Sequence, residues 1–284
     1  MSELSIENIY YLGPDGSNTY NSMLNFLSQS GIYVKNKIPK KSIKEALDSL
    51  EKDYSSICIL PMENSIEGIV RETIDNFLKF KDNSIQIQAE ITLPIKHMLL
   101  AKTNNKNEIT KIYSHPQALA QCSEYSYKNF PNAELKEVSS TSYAAEKVSL
   151  AEIKDCAAIA NETCAELFNL NILEADINDE TGNETRFYVL GRTNLFEMTD
   201  GKTAIMVSTK NYSGALCDIL KILSNHNINI TCIDSRPSRK KLGEYVFFME
   251  LDGLKDDYRI KIAFEELMVV ADFIKILGSF KTCN

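Results

Sequence analysis

The chain has 284 residues, of which 44% are apolar and 25% are charged. It is therefore long enough to bury a substantial core, and its composition is not that of a disordered tail. The 31 lysines and arginines against 39 aspartates and glutamates give a net charge of -8, without the basic stripe that nucleic-acid backbones require. The length favours two domains, and the charge disfavours nucleic-acid binding.

The first seven residues lack the basic start and apolar run of a secretion signal. No later apolar stretch approaches the ~18 residues that span a bilayer, so we expect a cytoplasmic protein with no membrane contact. The seven cysteines form no Cys-x-x-Cys pair and the three histidines are far apart. The sequence therefore predicts reduced core thiols and no metal site.

Short apolar runs alternate with helical periods up to about residue 80, which is the pattern of parallel strands joined by crossover helices. Strands are predicted at residues 9–12, 32–34 and 57–60, and a helix is predicted to follow each of them. The third helix is predicted to begin at once, because Asn64 with Glu67 three residues later resembles a capping box.

The pattern changes to strict alternation at residues 85–91, which indicates a long strand and a crossing between two lobes. A second α/β stretch then follows. Its strands are predicted near residues 112–113, 135–138 and 157–160, and a strand at 187–190 closes the unit. These patterns predict lobe 1 at about residues 1–84 plus 172–191 and lobe 2 at about 85–171.

Residues 191–203 are the predicted linker to a second domain at residues 200–284. Strands and helices there follow the order βαββαβ, which is a ferredoxin-like unit. Its last strand is predicted near residues 273–277. The unit contains no acid/base cluster, so we expect a ligand-binding or interface module.

Five segments carry more polar residues at predicted strand ends than folding requires, and ligands bind at the carboxyl ends of parallel strands. They are residues 13–17, 61–68, 114–122, 139–141 and 183–187. Each alone also has a purely structural interpretation: a tight turn, helix caps, a satisfied histidine or a surface ion pair. Because only six of the 31 cations are arginines, Arg186 is the best candidate for a planar donor to an anionic substrate.

Taken together and in this order, these segments closely resemble the prephenate dehydratase family over nearly the whole chain. The family's Gly-Pro-x-Gly-Thr start appears at residues 13–17 and its Pro-x-Glu-Asn-Ser-x-x-Gly at 61–68. Its Ser-His-Pro-Gln-Ala-Leu-x-Gln-Cys stands at 114–122 and its Asn-x-Thr-Arg-Phe at 183–187. In the first of these motifs Ser17 replaces the usual Thr, which keeps the hydroxyl.

The C-terminal unit is similar to the family's ACT regulatory domain. Gly214 to Leu216 and residues 234–237 resemble its two phenylalanine-binding segments, with Asp234 in place of the usual Glu. Because the first strand is predicted within about ten residues of Met1, we expect a monofunctional protein without the chorismate mutase domain that some members carry.

The resemblance implies an α/β fold: a two-lobed type II periplasmic-binding-protein-like catalytic domain, with the active site between the lobes, followed by a ferredoxin-like ACT domain. It implies prephenate as substrate, no cofactor, phenylalanine as an inhibitory allosteric effector, and a homodimer or homotetramer. The predicted activity is a carbon-oxygen lyase activity that removes CO₂ and the ring hydroxyl to make phenylpyruvate for phenylalanine synthesis.

The resemblance also implies roles for single residues. Thr185 is the expected acid or hydrogen-bond relay and Arg186 the partner of a substrate carboxylate. Glu63 and His115 are expected to polarise the relay, although a negative Glu63 beside a dianionic substrate is unfavourable unless it is paired or protonated. The residues expected to bind substrate are Gly16, Ser17, Asn64, Ser65, Ser114, Gln117, Thr141, Asn183 and Phe187. The residues expected to bind the effector are Asn211, Gly214, Ala215, Leu216, Asp234, Ser235, Arg236 and Pro237.

Two alternatives remain open from the sequence. A bilobed cleft with an ACT module also suits a non-catalytic amino-acid-sensing protein, although a sensor has no need of a Thr-Arg pair where a leaving group would lie. The second alternative is that the protein carries out the same reaction on arogenate. Arogenate has an amino group in place of the keto oxygen of prephenate.

Overall fold

A computed structural model of the protein describes residues 6–80, 82–152, 154–209, 212–238 and 244–283. The described chain forms one ten-stranded sheet, which runs through the first lobe and the C-terminal unit, and a separate five-stranded sheet. The α/β fold class predicted from the sequence is confirmed. None of the helices in these ranges is long and apolar enough to cross a membrane.

Lobe 1 is a sheet with helices on both faces. Its strands are β1 (Ile6–Leu12), β2 (Val34–Lys40), β3 (Ser56–Asn64), β4 (Gly68–Ile69), β5 (Gln86–Pro94) and β11 (Glu184–Gly191), and its helices are α1 (Asn18–Ser30), α2 (Ile43–Lys52) and α3 (Arg71–Lys79). β1 lies parallel to β2 and β3, whereas β11 is antiparallel to both β3 and β5. Alternate residues of these strands pack on α1 or on α2 and α3, because successive side chains of a strand point to opposite faces.

Lobe 2 has the smaller sheet, in the order β10-β6-β9-β7-β8. Its strands are β6 (Met98–Ala101), β7 (Lys111–Ser114), β8 (Glu134–Glu137), β9 (Cys156–Ala160) and β10 (Asn171–Glu174), and its helices are α4 (Pro116–Gln121), α5 (Ser123–Asn129), α6 (Thr141–Leu150) and α7 (Glu162–Phe168). β7 lies parallel to β8 and β9, so their carboxyl ends meet at one edge.

The C-terminal unit has the predicted βαββαβ order. It consists of β12 (Lys202–Thr209), α8 (Ala215–Asn225), β13 (Ile230–Pro237), β14 (Tyr245–Asp252), α9 (Tyr258–Val270) and β15 (Ala271–Cys283). The strands are antiparallel in the order β13-β14-β12-β15, and α8 and α9 cover one face. The other face packs Met206 and Phe248 into the core shared with α2 and α3 of lobe 1.

β15 is longer than the predicted strand at residues 273–277, and its last three residues pair in parallel with β5 of lobe 1. Gly278 allows the approach: its φ is +137°, and a Cβ at this position would lie 2.6 Å from the backbone N and O of Ile87. The C-terminal unit is thus joined to the catalytic lobe by a continuous sheet.

Other predictions also differ from the structure. β10 (Asn171–Glu174) pairs with β6 of lobe 2, although residues 172–191 are predicted to belong to lobe 1. β2 starts at Val34, whereas the strand was predicted at residues 32–34. Most of its residues are exposed and polar, so no run of apolar residues marks the strand in the sequence. α3 starts at Arg71, because Asn64 closes a turn rather than a helix and Gly68 (φ +79°) lies in the short β4. β5 belongs to lobe 1 rather than lobe 2, since it pairs with β11, and the chain crosses between the lobes at residues 95–97. Alternation indicates a half-buried strand but not the sheet it joins.

Candidate active site

The two lobes face each other across a cleft of about 550 Å³. Its walls come from the carboxyl ends of β1, β2 and β3 in lobe 1 and of β7 and β8 in lobe 2, the edge at which α/β folds bind ligands. The predicted site residues that line it are Ser17, Asn64, His115, Gln117, Thr141, Thr185 and Phe187.

Thr185 is held by Asn64, its register partner on β3. The Asn64 side-chain oxygen accepts hydrogen bonds from the backbone amides of Ile66 and Glu67, which fixes the direction of its amide group. Asn64 Nδ2 therefore points at Thr185 Oγ1, to which it donates at 2.9 Å. Because Thr185 Oγ1 is the acceptor in this bond, its own O–H remains a donor on the cleft side.

A hydrogen-bond chain continues from Asn64 into lobe 2. Asn64 Nδ2 also donates to Asn183 Oδ1 at 2.7 Å, and Asn183 Nδ2 donates to Gln121 Oε1 at 3.0 Å. His97 Nε2 lies 3.1 Å from the same Gln121 oxygen, which assigns the proton of the imidazole to Nε2. The chain thus connects Thr185 with a histidine at the crossing between the lobes.

Two buried atoms of this chain have no hydrogen-bond partner among the described residues: His97 Nδ1, an acceptor, and Gln121 Nε2, a donor. Both residues line the cleft. Burial lowers the pKa of His97, although the hydrogen bond with Gln121 partly opposes that shift. His97 is therefore neutral near pH 7. The sequence analysis assigned neither residue a role; the position of His97 just after β5 shows its importance only once the crossing is known to lie there.

Arg186 and Glu63 lie on the opposite face of the sheet from the cleft. Neighbouring residues of β11 point to opposite faces, so Thr185 faces the cleft and Arg186 faces the C-terminal unit. The Arg186 guanidinium forms ion pairs with Glu63 at 2.8 Å, with Glu250 at 2.7 Å and with Glu90. This contradicts the expected contact of Arg186 with a substrate carboxylate and the expected contact of Glu63 with the relay.

Lys41 provides the positive charge that Arg186 does not. It follows β2 and is the one lysine or arginine among the described residues that line the cleft. The N-termini of α1 and α6, capped by Ser17 and Ser140, also open onto the cleft and favour negative charge there. Sequence analysis missed Lys41 because β2 was placed too early; a lysine at the end of a parallel strand is the signal.

Comparisons with known proteins identify the family of the chain. A family model described as prephenate dehydratase matches residues 9–195, and one described as ACT domain matches residues 203–267. The chain belongs to the prephenate dehydratase family. It is 37% identical over 272 residues to a bifunctional chorismate mutase/prephenate dehydratase of Aquifex aeolicus, covering 96% of this chain and 73% of that protein.

Relatives of similar length also match. A prephenate dehydratase of Lactococcus lactis subsp. cremoris is 32% identical over 277 residues, which is 96% of each chain. The crystal structure of prephenate dehydratase from Arthrobacter aurescens in complex with L-Phe superposes with a TM-score of 0.86 at 29% identity, covering 96% of this chain and 90% of that one. The expected fold, a two-lobed catalytic domain followed by an ACT domain, is confirmed.

Four residues of the family motifs that were expected to bind substrate form hydrogen bonds within the protein. The Ser114 hydroxyl is fully buried and donates to Ile159 O at 2.6 Å, which contradicts a substrate contact. Ser65 Oγ bonds to the backbone of the returning segment at residues 182 and 184. Gly16 O accepts from lobe 2, and Asn183 is the bridge described above.

His115 caps α4, as its Nδ1 accepts from the Gln117 amide at 3.3 Å, and its ring still lines the cleft. The expectation that it polarises Thr185 stays a prediction. No group of three or more histidine, cysteine, aspartate or glutamate side chains that could hold a metal ion occurs within the described ranges.

The two segments expected to bind phenylalanine lie at one end of the ACT sheet. β12 and β13 flank β14, and their ends, Ser208 and Arg236, pair with the same residue, Val246. Gly214 (φ +95°) stands at the N-terminus of α8, which Ala215 and Leu216 begin. Asn211 lies outside the described residues.

Within the β13 segment, Arg236 is already bound by the catalytic domain. Its guanidinium forms a two-point ion pair with Asp75 of α3, at 2.8 and 3.0 Å. Asp234 Oδ2 is buried without a hydrogen-bond partner in the part of the chain that the structure describes, whereas Ser235 and Pro237 are exposed.

We expect His97 to make folding depend on pH. Its pKa in the folded protein lies below the unfolded value of about 6.5, so its contribution to stability is present above that pH and is lost as the pH falls below it. Urea unfolding of wild type and His97→Gln between pH 5 and 8 tests this. The free energy of unfolding should fall less steeply below pH 6.5 in the variant, and equal slopes would contradict the assignment.

Proposed function

We propose that this protein catalyses the decarboxylating dehydration of prephenate to phenylpyruvate in L-phenylalanine biosynthesis. One observation carries the proposal: Asn64 Nδ2 donates to Thr185 Oγ1 at 2.9 Å, which leaves the threonine proton for a group in the cleft. Thr185 is only 8% exposed, so its hydrogen bond acts where little water competes. The family to which the chain belongs has this activity.

The chemistry needs a proton donor and accurate placement. The bond between the ring and the carboxylate breaks, CO₂ departs, and the electron pair enters the ring as the opposite C–O bond breaks. The departing hydroxide takes the proton of the Thr185 hydroxyl and leaves as water. Thr185 then regains a proton from solvent. Aromatisation of the ring drives the step, so the protein has to assist only the poor leaving group and to orient the dianion.

Binding of the two carboxylates falls to Lys41 and to the amides at the N-termini of α1 and α6. These groups replace Arg186 in the role expected from the motif. The Gln121 Nε2 donor and the His97 Nδ1 acceptor are buried without partners among the described residues, and both residues line the same cleft, so we expect these two groups to assist in binding the polar groups of the substrate.

Thr185→Ala should lower kcat for prephenate by roughly 10²–10⁴, which is the usual contribution of a positioned acid. Thr185→Ser keeps the hydroxyl and should recover most of the rate. Phenylpyruvate absorbance measures both variants.

Thr103→Ala is the matched control. Thr103 is also 8% exposed and its hydroxyl is also hydrogen-bonded, but it follows β6 at the end of the lobe 2 sheet away from the cleft. A loss below about fivefold in Thr185→Ala contradicts the proposed acid. If the wild type binds prephenate without turnover, the result supports the amino-acid-sensing alternative. If it converts arogenate faster than prephenate, the result supports the arogenate alternative.

Lys41→Met should raise KM for prephenate about 5- to 10-fold and change kcat by less than about twofold, because the exposed ammonium binds ground state and transition state alike. Lys44→Met is the control, since Lys44 pairs with Asp48 on the surface of α2 outside the cleft. Steady-state kinetics with prephenate measure both variants. An equal KM in the two variants would remove Lys41 from substrate binding.

We propose further that L-phenylalanine binds at the end of the ACT sheet and inhibits turnover. The support is the meeting of the Gly214 segment with the end of β13 and the L-Phe named in the Arthrobacter aurescens complex. The N-terminus of α8 favours the carboxylate of an amino acid. Inhibition requires that the effector favour a less active arrangement, with a coupling typically of about 1–3 kcal/mol.

Assembly into a homodimer or homotetramer belongs to the same proposal. β13 is one of the two edge strands of the ten-stranded sheet, and Ile233 on it is exposed. An apolar edge strand of this kind is a surface on which a second copy can pair. A cytoplasmic location is proposed as well, because all seven cysteines are free and four of them are buried.

Ser235→Ala should raise the L-phenylalanine concentration for half-inhibition about tenfold and leave kcat without effector unchanged. The exposed hydroxyl is expected to donate one hydrogen bond to the effector, and the loss of such a bond is worth about 1 kcal/mol or slightly more. Ser224→Ala, at the far end of α8, is the control. Unchanged inhibition in Ser235→Ala, measured by titration with L-phenylalanine, would place the effector elsewhere.

A further inference from the structure

Arg186 lies at the centre of a buried charge cluster that joins the catalytic and ACT domains. We call the side chains of Glu63, Glu90, Arg186, Lys202 and Glu250 the Arg186 cluster. Glu63 and Glu90 belong to β3 and β5, the two neighbours of β11, whereas Lys202 and Glu250 belong to β12 and β14 of the ACT domain. The guanidinium therefore binds both domains at once.

Glu250 is the most deeply buried member of the cluster, with no exposed side-chain surface. One of its carboxylate oxygens accepts from Arg186, and the other accepts from the hydroxyl of Tyr188, also on β11. Burial by itself raises the pKa of the Glu250 carboxyl, but the hydrogen bond and charge of Arg186 outweigh it, so the pKa lies below its usual range. Glu250 is thus a charged acceptor for two side chains of the catalytic strand.

The backbone of β3 is irregular opposite the place where these contacts are made. The register between β11 and β3 shifts between Arg186 and Phe187, directly after the Arg186–Glu63 pair, because β3 has one extra residue there, Met62. A bulge redirects the side chains next to it, and their direction then depends on what holds the neighbouring residues. Arg186 and Tyr188 are held from the ACT side, so the contacts of Glu250 fix β11 on both sides of Phe187, the residue next to this bulge.

We propose that Glu250, a residue of the ACT domain, is a positioning residue for Thr185. It acts through Arg186: three carboxylates fix the guanidinium, and the guanidinium fixes the backbone that directs the adjacent Thr185 hydroxyl toward the leaving group. Without Glu250 the guanidinium moves toward Glu63 and Glu90, and the strand moves with it. A misplacement of this kind affects the chemical step rather than substrate binding. The inference rests on the proposed function of Thr185.

Glu250→Gln tests the inference, because it keeps the size of the side chain but removes its charge and replaces one of the two carboxylate oxygens that accept from Arg186, Tyr188 and Thr231. We expect kcat for prephenate to fall at least about tenfold and KM to change by less than about twofold. The control is Asp252→Asn, which removes a carboxylate from the same strand at an exposed position, where Asp252 bonds to Asn229. It should leave both constants unchanged.

The decisive measurement repeats Glu250→Gln in a Thr185→Ala background. If Glu250 acts through the position of the Thr185 hydroxyl, it has nothing left to position, and the residual rate should fall by less than about twofold. A purely structural role would lower both backgrounds by the same factor and would overturn the proposal. An unchanged kcat in Glu250→Gln alone would also overturn it.

The test needs a second variant in case Glu250→Gln does not fold, and it must be distinguishable from a failure of the proposed function. Should Glu250→Gln not fold, as judged by near-UV circular dichroism, Arg186→Lys replaces it, since it keeps the charge but loses the planar guanidinium through which Glu250 is proposed to act. A folded Arg186→Lys protein with unchanged kcat then overturns the proposal. Failure of the proposed function is distinct: the wild type would not convert prephenate, or Thr185→Ala would retain its rate.

Discussion

β11 presents two adjacent side chains to opposite faces of one sheet, and the rest of the structure is arranged around this alternation. The Thr185 hydroxyl faces the cleft and accepts a hydrogen bond from Asn64. On the other face, the Arg186 guanidinium forms ion pairs with Glu63 and Glu250 at the centre of the Arg186 cluster. A buried ion cluster of this kind is not a strong source of stability, because desolvation offsets the attraction between the charges. Removal of one partner is nevertheless costly, and this constrains where β11 lies relative to the ACT domain.

The cleft side of β11 is organised by neutral hydrogen bonds. Asn64, Asn183, Gln121 and His97 form one hydrogen-bonded chain that links the crossing at residues 95–97 with the returning segment at residues 182–184. Burial keeps His97 uncharged. A threonine hydroxyl is a very weak acid in water. In a cleft with little competing water, a donor of fixed direction is worth far more, since it requires no reorganisation when the leaving group departs. Placement rather than acidity is therefore the contribution of the protein.

The ACT domain contacts the catalytic lobe through a strand pair and two ion pairs, among other contacts. β15 pairs with β5, Arg236 of the β13 segment pairs with Asp75 of α3, and Glu250 of β14 pairs with Arg186 of β11. Cys232 of β13 lies opposite Glu250 in the sheet. The strand that carries the expected phenylalanine segment is thus the direct neighbour of the strand that reaches Arg186. Only β13 and β14 separate the expected phenylalanine segment from Arg186 on β11. Because these strands are closely packed, a displacement of β13 on effector binding is expected to displace β14 as well.

The sequence by itself determined the fold class, the βαββαβ unit and the segments that meet at the cleft, because these depend on local periodicity and on polar residues at strand ends. It also singled out Asn64 and Thr185. Only the tertiary structure decided that Arg186 and Glu63 turn away from the cleft, that the Ser114 hydroxyl is buried, and that Lys41 and His97 line the site. Residues adjacent in a motif are on opposite faces of a strand, and the elements packed on those faces come from distant parts of the chain, which no local pattern records.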